Sequence, residues 1–109
     1  MIVLVAPRWI RYLIVTMPKG VHNMKATYIT ASYCSPCKLF SPIVARVLDA
    51  RGIPLTKLDS EEDMKAVGNY CISSVPTLIL LDHGVEIGRL EGAYPETVFS
   101  RRLDELLAL

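Results

Sequence analysis

The sequence predicts an α/β protein, a central mixed β-sheet flanked by helices on both faces, and three observations predict it. Short apolar or β-branched runs alternate with segments of helical period, as parallel crossovers require. The last two such runs are joined by Asp82-His83-Gly84 alone, which is long enough only for a hairpin. The pair Cys34-Ser35-Pro36-Cys37 falls where a strand gives way to a helix, and open α/β sheets place their sites at the carboxyl ends of strands.

Taken in order, Ile2 to Val5 reads as a short buried strand. Pro7 to Met17 reads as a helix with Trp9, Leu13 and Met17 on one face, although Ile10, Tyr12, Ile14, Val15 and Thr16 leave a strand pair as an alternative. Pro18-Lys19-Gly20 is a turn signal that ends it. Lys25 to Ala31 is the strand that delivers the chain to the cysteines. From Pro36 to Arg51, Leu39, Phe40, Ile43, Val44, Val47 and Leu48 recur at helical spacing up to Gly52, with Pro42 expected to kink the helix.

Ile53 to Leu58 is the next strand. Ser60 then reads as an N-cap with Glu61, Glu62 and Asp63 in the first turn of a short helix that buries Met64 and Val67 and ends near Tyr70. Thr77 to Leu81 and Val85 to Leu90 form the hairpin. Gly92 breaks the sheet, and Pro95 opens a last helix burying Phe99, Leu103, Leu106 and Leu107. The order is β-α-β-α-β-α-β-β-α, and with 109 residues and no linker, repeat or low-complexity tract the whole chain reads as a single domain, 1–109.

Composition excludes several functions. A net charge of +1 without a basic stripe argues against a nucleic-acid partner. The apolar N-terminus is interrupted by Pro7, Arg8 and Arg11 before a signal core or membrane span can form, so a cytoplasmic protein without a membrane partner is expected. Three cysteines are an odd count with only one close pair, which fits a reducing compartment and not a secreted disulfide framework. A zinc site needs four ligands, and beyond the pair there are only Cys71, His22 and His83.

Redox chemistry fits the pair better. Residues at i and i+3 of a first helical turn are neighbours at a separation that a disulfide tolerates. Pro36 suits that turn because its missing N–H would lack an intrahelical partner. Cys34, at the positive end of the helix, is the expected nucleophile, and Cys37, one turn inside, the resolving thiol. Cys71 reads most simply as a small buried hydrophobe, with a regulatory thiol as the alternative. Tyr28 reads as a core filler, and Lys57 as either a solvated strand residue or a tuner of Cys37.

These residues resemble the thioredoxin family from roughly Lys25 to the end of the chain. The run Cys34 to Lys38, Pro42, Lys57, Val75-Pro76-Thr77, Asp82-His83-Gly84 and Gly92-Ala93 occur in that family's order and spacing. The resemblance implies a thioredoxin-like fold and a Cys34-Cys37 redox disulfide. It also implies a cis-proline at Pro76 facing the sulfurs, a Val75 backbone free to pair with an extended substrate, and a groove completed by Gly92 and flanked by Tyr33, Ser35 and Pro36. It implies a monomer that reduces disulfide-containing proteins with no bound cofactor, its electrons coming from NADPH through thioredoxin reductase. A glutathione-dependent, glutaredoxin-like protein and a thioredoxin-fold interaction module are the alternatives.

Three positions depart from the pattern. Tyr33 replaces the family's usual Trp, and Ser35 replaces its Gly with a hydroxyl that could donate to the Cys34 thiolate. Tyr28 stands where the family has a buried Asp that helps move the proton of the resolving cysteine, so Lys57 loses its expected partner.

Overall fold

The computed structural model describes residues 23–108. The expected strand Ile2 to Val5 and the helix Pro7 to Met17 lie outside them. The described residues form β1 (Met24–Thr30), α1 (Ser35–Ala50), β2 (Leu55–Asp59), α2 (Met64–Gly68), β3 (Thr77–Asp82), β4 (Val85–Glu91) and α3 (Glu96–Leu107). The sheet order is β2-β1-β3-β4, with β1 and β2 parallel and the other neighbours antiparallel.

Strand alternation divides the core. Ala26 and Tyr28 of β1 and Leu78 and Leu80 of β3 face α1 and α3, where they meet Phe40, Val44, Leu48, Phe99 and Leu103. The residues between them, Ile29 and Ile79, point to the opposite face and pack with Val67 of α2. Phe40 anchors the larger cluster, its ring set edge-on to Tyr28 at 6.1 Å and to Phe99 at 5.0 Å. Two ion pairs reach α3 across the surface, Arg46 of α1 with Glu96 and Arg51, just past the end of α1, with Asp104.

The local chemistry explains where elements stop. Gly52, at φ 71°, closes α1: its amide bonds Asp49 O at 3.0 Å and the Ile53 amide reaches Leu48 O at 3.0 Å. These bonds use the backbone of Gly52 and Ile53, so β2 begins two residues later than the sequence predicts. In the hairpin, Asp82 pairs with Val85, and His83 and Gly84 both have positive φ, the geometry a two-residue turn needs to match strand twist. Pro42 lies within α1 and the helix continues through it.

Four expectations are corrected. Ser60 does not cap α2: Asp59, one residue earlier, accepts the amides of Glu61 at 2.8 Å and Glu62 at 3.1 Å on one oxygen, since a charged carboxylate is a stronger acceptor than a hydroxyl. The helix starts only at Met64, with Asp63 in the cap position. Met64 is 68% exposed, because a five-residue helix turns only one side chain, Val67, onto the sheet. Leu39 is 80% exposed, as the inward face of α1 is the narrower row Cys37, Phe40, Val44, Val47 and Leu48. Cys71 is exposed, not buried: at φ 52° it leaves the end of α2 in the left-handed conformation, pointing away from the core.

Candidate active site

The site starts from a helix terminus. Cys34 is the N-cap of α1, in extended backbone, with Pro36 in the first turn. Its own amide bonds Ala31 O at 3.1 Å, which turns the chain from β1 into the helix. The Cys37 amide, an orphan donor of the first turn, points instead at Cys34 Sγ, 3.1 Å away. Cys34 and Cys37 are joined as a disulfide with Cα atoms 5.3 Å apart. Cys34 keeps 8% of its surface in solvent and Cys37 keeps 1%, so both are buried and Cys37 is the more deeply enclosed.

The neighbouring loops complete the front of the site. Val75 packs on the cluster of Ala31, Cys34 and Cys37, and the Val75–Pro76 peptide bond is cis. Buried Thr77 holds that loop, its hydroxyl donating to Ser74 O at 2.7 Å. Gly92 donates its amide to Pro76 O at 2.8 Å and has φ 95°. A Cβ at Gly92 would meet nothing, so the backbone conformation and not crowding within the protein calls for glycine. Tyr33 is 70% exposed beside Cys34, and Ser35 and Pro36 are exposed at the helix start. The donor to Cys34 Sγ is the Cys37 amide; Ser35 makes no such bond.

Behind the sulfurs, Tyr28 is buried and its ring fills the core. Its hydroxyl lies 3.4 Å from Cys37 O and 3.3 Å from Ser41 Oγ, and burial raises its pKa above the ordinary phenol value. Ser41 Oγ donates to Cys37 O at 2.6 Å. The sequence carried a signal for Ser41 that was missed: it lies four residues after Cys37, on the same helical face. Lys57, the register partner of Tyr28 on β2, is exposed and lines a cleft of about 600 Å³ with Ala31, Lys38, Ser41, Asp59 and Asp63. Asp59 is held below the usual carboxylate range, mainly by the amides of Glu61 and Glu62.

Among the described residues no group of three or more His, Cys, Asp or Glu side chains could hold a metal ion. No described helix is long and apolar enough to cross a membrane. The arrangement is that of a reversible dithiol pair at a helix start, with Cys37 the more deeply buried and an amide donor on Cys34.

Comparison with known proteins agrees. The family model described as Thioredoxin matches residues 22–105. Thioredoxin of Chlorobaculum thiosulfatiphilum is 30% identical over 78 residues, covering 69% of this chain and 71% of that one. Thioredoxin of Mycobacterium tuberculosis is 32% identical over 79 residues, covering 71% and 68%. A mutant thioredoxin from Halobacterium salinarum superposes with a TM-score of 0.70 at 21% identity, covering 82% of this chain and 79% of that one. Thioredoxin 1 of Thermosipho africanus gives 0.68 at 24% identity, covering 77% and 94%. With the family's fold and a redox pair between Cys34 and Cys37, the chain belongs to the thioredoxin family and is a dithiol-disulfide oxidoreductase.

Proposed function

We propose that the protein works as a cytoplasmic reductant of protein disulfides, with Cys34 as nucleophile and Cys37 as resolving thiol. The observation that carries this reading is the unequal placement of the two cysteines, Cys34 at the helix start with an amide donor and a margin of exposure, Cys37 sealed behind it. In the dithiol form the same amide and the positive helix end favour the Cys34 thiolate over the thiol. That thiolate attacks a substrate disulfide, forming a mixed disulfide and expelling one substrate thiolate. The Cys37 thiolate then attacks Cys34 Sγ, which forms the Cys34–Cys37 disulfide and releases the second substrate thiolate.

The exposed surface around Cys34 supports a role for Tyr33, Ser35, Pro36, Val75, Pro76 and Gly92 in receiving an extended substrate segment, with the Val75 backbone as pairing partner. Lys57 faces the cleft behind the site and is a candidate tuner of Cys37. No bound cofactor enters the cycle; NADPH acts indirectly, through thioredoxin reductase, which returns two electrons to the pair.

The test is turnover of an interchain protein disulfide such as that of insulin. Cys34→Ser should abolish it, while Cys37→Ser should accumulate the covalent substrate adduct. Activity surviving Cys34→Ser overturns the assignment. Supplying electrons through glutathione instead of thioredoxin reductase distinguishes the glutaredoxin-like alternative.

A further inference from the structure

Resolution of the mixed disulfide poses a problem of access. Cys37 must lose its proton to attack, yet it is 1% exposed, and in the mixed disulfide the substrate is bonded to Cys34 and covers the front of the site. A proton therefore has to leave from behind. Tyr28 occupies that side, but a buried phenol whose pKa is raised is no base near neutrality. The cleft behind the site is lined by the carboxylates Asp59, Glu62 and Asp63 and the ammoniums Lys38 and Lys57, and one hydroxyl of its wall is bonded to the Cys37 turn. Ser41 stands one helical turn beyond Cys37, donates to its carbonyl at 2.6 Å, touches the Tyr28 hydroxyl at 3.3 Å, and also lines the polar cleft. Ala31, which packs on both cysteines, forms part of the same wall.

We propose that Ser41 is the positioning residue of the resolving step: its hydroxyl links buried Cys37 to the cleft, so that the thiol proton leaves to water there while the substrate covers the front. The proposal rests on the assignment of Cys37 as resolving thiol. Cys37–SH gives its proton to water in the cleft that Asp59, Glu62, Asp63, Lys38 and Lys57 line. The thiolate attacks Cys34 Sγ, the Cys34–substrate bond breaks, and the electron pair leaves with the substrate thiolate. Ser41 then returns its hydrogen bond to the Cys37 carbonyl, the arrangement seen in the disulfide form. Serine and threonine hydroxyls in helices bond the carbonyl one turn back, so either residue can serve.

Single-turnover reaction of the reduced full chain with a symmetrical nitroaryl disulfide separates the two steps. Attack by Cys34 releases one coloured aryl thiolate, and attack by Cys37 releases the second. A Cys71→Gly background removes the exposed third thiol. Ser41→Ala, a good helix former, should leave the first release unchanged, slow the second about tenfold near pH 7, and move its pH profile upward by about one unit. Ser41→Thr should restore both. A second release unchanged by Ser41→Ala, or slowed by the same factor at every pH, overturns the proposal. Loss of the first release points elsewhere, to failure of the Cys34 assignment itself.

Discussion

The Cys37 backbone amide points at Cys34 Sγ across 3.1 Å, so the more deeply buried residue of the pair holds a donor ready for charge on the other. The donor belongs to the backbone and survives side-chain substitution. Alkylation of the reduced protein by iodoacetamide should therefore set in at lower pH than that of a free cysteine. Ser35→Ala should leave that profile in place, since Ser35 makes no bond to the sulfur in the structure. A profile that shifts upward in Ser35→Ala would assign the stabilisation to the hydroxyl.

The Tyr28 ring is part of the core, edge-on to Phe40 and packed in the cluster that α1 covers. Tyr28→Phe should cost no more than about 1 kcal/mol, the worth of its hydroxyl bonds. Tyr28→Ala should cost about 3–5 kcal/mol, as large aromatic deletions do. Tyr28→Asp loses the ring as well and places a carboxylate in the space, so it should be at least as costly. Urea unfolding of the three variants checks the order. A Tyr28→Asp protein as stable as the parent would show that the ring is not holding the core.

The fold and the redox pair were legible because their signals are local. Cys34 to Cys37 lie within one helical turn, and the strand at Thr77 and the turn at Asp82-His83-Gly84 follow from a few adjacent residues. What was not legible depends on distant partners. Ser41 stands one turn from Cys37, but the cleft it lines is built from β2 and the loop after it, which its own neighbourhood in sequence does not show. Cys71 is exposed because its backbone turns left-handed at the end of α2, a conformation its side chain does not announce. Helical spacing alone widened the buried face of α1 to include Leu39, because it cannot tell how broad a stripe the sheet will cover.

Arg51 holds Asp104 in a two-pronged ion pair, Nε to Oδ1 at 2.8 Å and a terminal nitrogen to Oδ2 at 3.0 Å. The hydrogen bonds from Arg51 push the Asp104 carboxyl below its ordinary value. A depressed carboxyl stabilises the folded state above its unfolded pKa and loses that contribution as pH falls through the folded one. Because Asp104 is more than half exposed, the pair should contribute less than about 1 kcal/mol. Asp104→Asn should lower stability by that amount above about pH 5, and the difference should fade below about pH 4. Thermal melts across this range measure it; a difference that grows toward acid contradicts the sign.

Cys71 is the one cysteine outside the disulfide, and it is exposed at φ 52°. Thiol titration of the folded, oxidised protein should count one reactive group, rising to three after reduction. Cys71→Gly should raise stability, because a residue with a Cβ pays roughly 1 kcal/mol for the left-handed conformation and glycine does not. Chemical denaturation of that variant decides the matter, and a clear loss of stability would mean that the Cys71 side chain makes contacts that outweigh its backbone cost.

Leu39 and Leu48 share a helix and a residue type, and the structure separates them fully. Leu48 is completely buried among Phe40, Val44, Leu80 and Leu103, whereas Leu39 lies on the outer flank beside Pro36 and Ile43. Truncating Leu48 removes buried methyl groups and leaves a cavity that the sheet cannot close, so Leu48→Ala should cost about 2–5 kcal/mol. Leu39→Ala takes away atoms already in water and should change stability by less than about 0.5 kcal/mol. Paired denaturation curves give both numbers, and equal losses would return Leu39 to the inward face of the helix.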